Sequence, residues 1–416
     1  MSTPAPRALP ALLLAAAALW HLFAVFAPPR IAPPPGTTGR DFASYYYAAK
    51  AASQGADPYD KAELGRLARA DGTRRTVHPF FYPPPFLVSV AWALPLDLMT
   101  AFRLWFWLNE AFLLLAGLAL WRWWRPLGEA AGPVLAVAAA LSFGVAYSQE
   151  LGQANLGVLA LMATALWQTR ERPVVAGVLL GTAAMWKMSP ALFVLWWLAR
   201  GEHRAAVAAV ATAVGWTVLS LPLVGASSQV HFYTEVLPRF GSGDYNGLTI
   251  QIGMFGNHSL PNLYDQLLPG TDNRLSTAAR ALSGLTTLGL AVGVAALGRL
   301  APRDPEATIA QACAVWVGML LVPVYTYEHH LVFALPALAW GTLLALRGRI
   351  PAGAAVAVGY AWALLVVPLP NLRQLVTKLL GEGHLGSWLV QEAKFAALLA
   401  LLGVMLWASL QRREAT

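Results

Sequence analysis

Long apolar runs follow one another along the whole chain, separated by short polar turns. The first spans Ala8 to Phe26, behind Arg7. Others occupy 84–98, 101–121, 131–148, 155–169, 173–187, 190–199, 205–224, 276–298, 307–325, 331–346, 351–368 and 390–410. A helix needs about 20 apolar residues to cross the hydrocarbon core, so most runs predict membrane-crossing helices. Runs 84–98 and 190–199 are short for a crossing. They predict partial or re-entrant pieces, which a membrane tolerates where they line a protein cavity. The first run can be read as a signal peptide cut after Ala27, but its length favours an uncleaved span. Pro28 to Gly39 holds five prolines, which breaks any helix. Farther on, Lys61 to Ala70 alternates apolar and charged residues at helical spacing and predicts a short interfacial helix.

Composition strengthens the membrane assignment. Of 416 residues, 57% are hydrophobic and 12% charged. So few charges cannot coat a soluble protein of this size. A secreted disulfide scaffold, a disordered chain and a cytosolic enzyme are excluded. The single cysteine, Cys313, lies in an apolar run and reads as a buried, inert thiol. The chain is expected to form one integral membrane domain over 1–416, an all-α polytopic bundle of about twelve spans, with no separate soluble domain or repeat.

The net charge of +8 is not gathered into a basic, aromatic-interleaved patch, so nucleic acid is not an expected partner. Arginines instead punctuate the short loops: Arg7, Arg122/Arg125, Arg170/Arg172, Arg200/Arg204, Arg299/Arg303, Arg347/Arg349 and Arg412/Arg413. All of these face the cytoplasm in one topology, if 84–98 does not cross and 173–199 forms a tight hairpin. The loop from 29 to 82 then lies outside despite its eight basic residues, which five acids accompany.

That topology gathers the unusual polar residues at one face. Asp41 lies in the first outer loop, Gln153 and Asn155 in the next outer turn, and Lys187 at the hairpin tip. Asn257, His258 and Ser259 lie in a long outer loop, 225–275, and Glu328, His329 and His330 in the turn before 331–346. Ionisable groups at a membrane edge are costly and so are functional candidates. Each also has an ordinary structural role open to it: Asp41 paired with Arg40, Gln153 and Asn155 as helix caps, Lys187 snorkelling. Tyr45, Tyr46, Tyr47 and the tryptophans read mostly as an interfacial belt. Adjacent histidines point apart on a helix and no acid or cysteine cluster completes a zinc pattern, so no metal or other cofactor is expected.

Several strings resemble a known family. Asp41-Phe42-Ala43-Ser44-Tyr45-Tyr46-Tyr47-Ala48-Ala49, Gly55-Ala56-Asp57-Pro58-Tyr59-Asp60 and Tyr82-Pro83-Pro84-Pro85-Phe86 resemble the opening of glycosyltransferase family 87. Gly152-Gln153-Ala154-Asn155, Lys187-Met188-Ser189-Pro190, Asn257-His258-Ser259-Leu260 and His329-His330-Leu331-Val332 resemble its later signatures. The resemblance implies a C-type (GT-C) membrane glycosyltransferase of the cytoplasmic membrane, acting on its outer side. It implies a polyprenyl-phosphate sugar donor, most often of mannose, an envelope lipid or glycan acceptor, inverting transfer, and a catalytic aspartate at Asp41.

The layout suits that chemistry. The leaving phosphate needs positive charge or hydrogen-bond donors, which Lys187, His329 and His330 can supply, with Gln153 and Asn155 beside them. The acceptor hydroxyl needs a base, which points to Asp41. Tyr45, Tyr82, Asn257, His258 and Glu328 are expected on the acceptor side or cavity wall. The competing class is a lipid or solute transporter or flippase. Transporters tend to repeat interrupted helices in paired halves, and no such pairing is visible.

Overall fold

The computed structural model describes residues 8–26, 39–73, 77–248, 250–253, 256–366, 378–379, 381 and 385–411. Among these residues the regular structure is all helical. The proline-rich stretch over 28–38 lies outside them.

Helix α1 covers Ala8–Phe26, α2 Arg40–Ser53 and α3 Lys61–Ala70. Asp60 caps α3, accepting from the amides of Ala62 and Glu63. Two 3-10 turns, Pro84–Ser89 and Ala91–Ala93, then take the place of a span over 84–98. Prolines at 83, 84 and 85 remove the donors that a longer helix would need. Helix α4, Leu98–Trp124, is capped by Asp97. Next come α5 (Ala131–Leu141) and α6 (Phe143–Leu151), which form one broken span bent by 55°. They are followed by α7 (Asn155–Gln168), α8 (Pro173–Trp186) and α9 (Leu192–Arg200).

Helix α10, His203–His231, contains Pro222 and breaks at Gly225, whose φ of 77° is non-helical. Helical turns continue to Ser242. The start of the expected outer loop 225–275 is therefore largely helical, and a further short helix, α11 (Leu260–Leu267), lies inside it. The remaining elements are α12 (Thr277–Leu300), α13 (Pro305–Leu321), a 3-10 turn over Glu328–Ala334, α14 (Leu335–Leu346), α15 (Ala352–Leu365) and α16 (Leu385–Leu410).

Among the described residues, five helices are long and apolar enough to cross a membrane, or six with the bent pair joined. Five shorter apolar helices accompany them. The protein is a multi-pass membrane protein. Leucines and valines of α10 and α12 that face outward, such as Val207, Leu219, Leu285 and Leu288, suit a lipid surroundings.

Among the described residues, the arginine loops of Arg170, Arg200, Arg303 and Arg347 lie at one end of the bundle; Arg7, Arg412 and Arg413 lie outside the described residues. Arg170 donates to the Arg303 carbonyl at 3.2 Å, and Arg200 reaches Gln311 at 2.6 Å and Thr308 at 3.1 Å. Arg347 pairs with Glu306 at 3.5 Å. Helices α7 and α8 each have one end beside this cluster, at Arg170 and Arg172, and the other at Asn155 or Lys187. The polar motifs therefore lie about 20 Å away at the opposite end. One detail departs from the expected tight hairpin: α8 packs mainly on α7 and α10, whereas α9 packs mainly on α12 and α10, so its limbs are splayed.

Candidate functional site

The position of Asp41 follows from two glycines. Gly39 and Gly152 both hold φ of 70°, a conformation that costs other residues about 1–2 kcal/mol. The Gly39 amide donates to the Glu150 carbonyl at 2.7 Å. A Cβ on Gly152 would stand 2.6 Å from Phe42 Cβ, so the start of α2 lies directly on the turn that ends α6. Trp105 of α4 seals the contact, donating its indole N–H to the Gly152 carbonyl at 2.9 Å. Asp41 is thereby brought to Gln153, whose amide nitrogen donates to Asp41 Oδ2 at 2.5 Å.

Behind Gln153 stands a buried tyrosine pair. Tyr82 donates to Gln153 Oε1 at 2.8 Å, and Tyr45 reaches Gln153 Oε1 at 3.2 Å and Tyr82 at 2.8 Å. The Gln153 amide is oriented by these hydroxyls and passes that orientation to the carboxylate. Tyr45, Tyr46 and Tyr47 are only 1%, 4% and 0% exposed, which corrects their placement in an interfacial belt. They form the core beneath the outer loop, where Tyr46 bonds the Leu96 carbonyl and Tyr47 bonds Thr73.

The cationic side is built from three elements. Helix α8 stops at Lys187, whose extended backbone precedes Ser189-Pro190, a pair that resists helix continuation. Trp186 anchors the stop by bonding Ser89 at 2.8 Å. Lys187 Nζ donates to Asn155 Oδ1 at 2.7 Å and lies 5.9 Å from the Phe333 ring centroid. Asn155 Nδ2 donates to the His329 carbonyl at 2.8 Å, which Ser148 also bonds at 2.9 Å. Neither Gln153 nor Asn155 is a side-chain cap of α7; both spend their amides on the site. The His329 and His330 rings lie 4.2 Å apart in the 3-10 turn. His330 Nδ1 accepts from the Tyr327 amide at 3.1 Å. Its neutral ring then carries the proton on Nε2, as a donor.

Burial and neighbouring charges set the protonation of both halves. Burial pushes the Asp41 carboxyl above its ordinary range, opposed by His78, the Gln153 hydrogen bond, Lys187 and Arg40. Burial pushes Lys187 down to about 7, with Asp41 opposing. A carboxylate of raised proton affinity and an ammonium of lowered affinity thus act on each other.

Other candidates have different work. Asn257 is fully buried and spends its amide on the Ile252 and Val324 carbonyls and the Thr326 amide, so it clamps two loops together. Glu328 is buried in an ion pair with Lys394 at 2.5 Å and accepts from His258 at 3.2 Å. These contacts place Asn257, His258 and Glu328 within the supporting structure and not on an open wall. Lys394 escaped notice because it sits inside the apolar run 390–410. Also unforeseen was the Asp57–His231 pair, 2.5 Å apart, which ties the first outer loop to α10. That pair lines an open cleft of about 720 Å³ at the far end of α2, bounded also by Ser53, Gly225 and Ser228. Among the described residues, no three of His, Cys, Asp and Glu converge as a metal site would require.

The chain is similar to known proteins. Two relatives from Mycolicibacterium smegmatis and Mycobacterium tuberculosis are polyprenol-phosphate-mannose-dependent alpha-(1-2)-phosphatidylinositol mannoside mannosyltransferases. They are 28% and 29% identical to the chain, over 65% and 48% of its length. The aligned regions span 63% and 43% of those relatives. A structural search finds ArnT from Cupriavidus metallidurans bound to undecaprenyl phosphate. It has a TM-score of 0.43 and 12% identity, covering 97% of this chain and 78% of that one. The model of glycosyltransferase family 87 matches residues 80–323, more than half of the chain, which holds Tyr82, Gln153, Asn155, Lys187 and His258. The protein belongs to glycosyltransferase family 87.

Proposed function

We propose that the protein transfers a sugar, most readily mannose, from a polyprenyl-phosphate donor to a lipid or glycan acceptor of the cell envelope. The observation that carries this is the pairing of one oriented carboxylate with one cationic cluster. Asp41 is held by Gln153, while Lys187, Asn155 and the His329–His330 turn form a connected unit across the same end of the bundle. The names of the two mycobacterial relatives support mannose and a lipid-linked donor. A lipid phosphate resting at the membrane edge would meet Lys187, which offsets the charge that grows on it as the glycosidic bond breaks, and the His330 Nε2–H, which donates a hydrogen bond to it. Asp41 accepts the acceptor's proton as the new bond forms. Base and leaving group then lie on opposite faces of the sugar, as single-displacement, inverting transfer requires. With Lys187 and the histidine donor serving the leaving phosphate, transfer is proposed to be metal-independent. The site is proposed to face outward from the cytoplasmic membrane, since the arginine cluster marks the inner side.

The test is transfer by the purified protein from a panel of labelled polyprenyl-phosphate sugars, with and without EDTA. Polyprenyl-phosphate mannose is expected to give the labelled product at a rate EDTA leaves unchanged. Activity only with nucleotide sugars, or with none of the panel, would contradict the proposal.

A further inference from the structure

Lys394 lies within α16 with none of its surface exposed. Its Nζ stands 2.5 Å from Glu328 Oε2, and the other oxygen, Oε1, lies 3.2 Å from His258 Nε2. Three segments distant in sequence meet on one buried carboxylate. Taking an ammonium and a carboxylate out of water is costly, and apolar side chains of the same size often serve stability as well. Ionisable groups held inside a membrane layer therefore call for a role.

The bonds around Glu328 indicate that role. Glu328 opens the 3-10 turn that carries His329 and His330. On one side, the His329 carbonyl takes Asn155 and Ser148, and Asn155 in turn takes Lys187. On the other side, the His258 amide donates to the Thr326 carbonyl at 2.8 Å while its ring holds Glu328. The turn is thus clamped between the Lys187 unit and the last helix. Without the lysine, Glu328 would be a buried carboxylate with only a histidine to hold it. It would take up a proton or move toward water, and the turn would move with it.

We propose that Lys394 is a positioning residue for the donor phosphate, acting through Glu328 on the His329–His330 turn. This rests on the functional reading above. Lys394 touches no substrate; it keeps Glu328 charged and in place, and Glu328 keeps the histidines facing Lys187.

The test uses the full-length protein in detergent, with undecaprenyl phosphate as the binding probe. Wild type, Lys394→Met and the double variant Glu328→Gln/Lys394→Met are compared for probe Kd, donor and acceptor KM, and Tm. Lys394→Met is expected to raise probe Kd and donor KM at least about tenfold, the loss of one histidine hydrogen bond to the charged phosphate. Acceptor KM should stay close to wild type. The double variant removes the charge imbalance while its amide still bonds His258, so probe binding should return to within about threefold of wild type. A Lys394→Met protein with lowered Tm and unchanged probe Kd would reduce Lys394 to a stabilising residue and overturn the proposal. Should Lys394→Met fail to fold, a folded double variant that still binds tenfold more weakly would overturn it as well. Wild-type protein that binds no undecaprenyl phosphate would bring down the functional reading itself, a result distinct from either.

Discussion

Asp41 and Lys187 carry opposite requirements on pH. The carboxylate form of Asp41 is present above its raised pKa and is lost as pH falls through it. The ammonium of Lys187 is present below about 7 and is lost as pH rises through it. The pH dependence of kcat/KM for the donor, which reports the free enzyme, should therefore be bell-shaped, with a falling limb near 7. The bound phosphate stabilises the ammonium, so the same limb in kcat should lie at higher pH. Lys187→Met is expected to abolish the falling limb and weaken donor use by about 1.5–3 kcal/mol. A limb that persists unchanged in Lys187→Met would assign it to another group. At this scale the sequence was most legible where the residue type itself is unusual. An acid, a lysine and paired histidines at the ends of apolar runs stand out by their cost. What each side chain bonds was not legible. Asn257 looks the same in sequence whether it faces a sugar or clamps two loops, and only its three bonds to backbone distinguish these roles. Asp57 and Asp60 flank Pro58-Tyr59, a setting that suits a turn. Asp60 does cap α3, while Asp57 also reaches His231, 174 residues away, a pairing that no local pattern encodes.

Among the elements, the site depends on how closely α2 and the end of α6 approach. Gly152 and Gly201 offer a matched pair for measuring that. Both have positive φ, 70° and 82°, but a Cβ at Gly152 meets Phe42 whereas one at Gly201 meets nothing within 4 Å. Gly201→Ala should cost only the backbone strain, about 1–2 kcal/mol. Gly152→Ala should cost more, because overpacking adds about 1–3 kcal/mol, and it should also lower kcat by displacing Asp41 from Gln153. Melting temperature and turnover of the two purified variants check this; equal losses of both in each would mean that the approach of α2 is not critical. Element boundaries followed from sequence where a physical stop is local. Ala8–Phe26 and Lys61–Ala70 form as helices over the predicted residues, and Lys187 ends α8 because Ser189-Pro190 follows it. They did not follow where a local stop is overridden. The apolar run ends at 224, yet helical turns continue beyond Gly225 as far as Ser242, and His231 there pairs with Asp57 of the outer loop.

For the whole molecule, the arginine pattern and the polar motifs define two ends, and the described helices α7 and α8 connect them. Labelling by an impermeant thiol reagent in intact spheroplasts tests which end faces out. In a Cys313→Ala background, cysteines at the exposed positions Ser53 and Asn273 should be labelled, and a cysteine at exposed Glu171 should not. Labelling of Glu171→Cys alone would invert the topology. The membrane class and the convergence of distant motifs were readable from hydropathy and arginine spacing. The ion pair that braces the far side of the site was not, because Lys394 sits beside Glu392 in a long apolar run and its partner lies 66 residues earlier. The central claim is that Asp41 is the base of a lipid-linked sugar transfer, and one substitution addresses it. Asp41→Asn keeps the size and the hydrogen bond to Gln153 but removes the basicity. With labelled polyprenyl-phosphate mannose, its kcat should fall at least about a hundredfold, while undecaprenyl phosphate binds as in wild type and Asp60→Asn stays near the wild-type rate. Turnover by Asp41→Asn close to that of wild type would contradict the account.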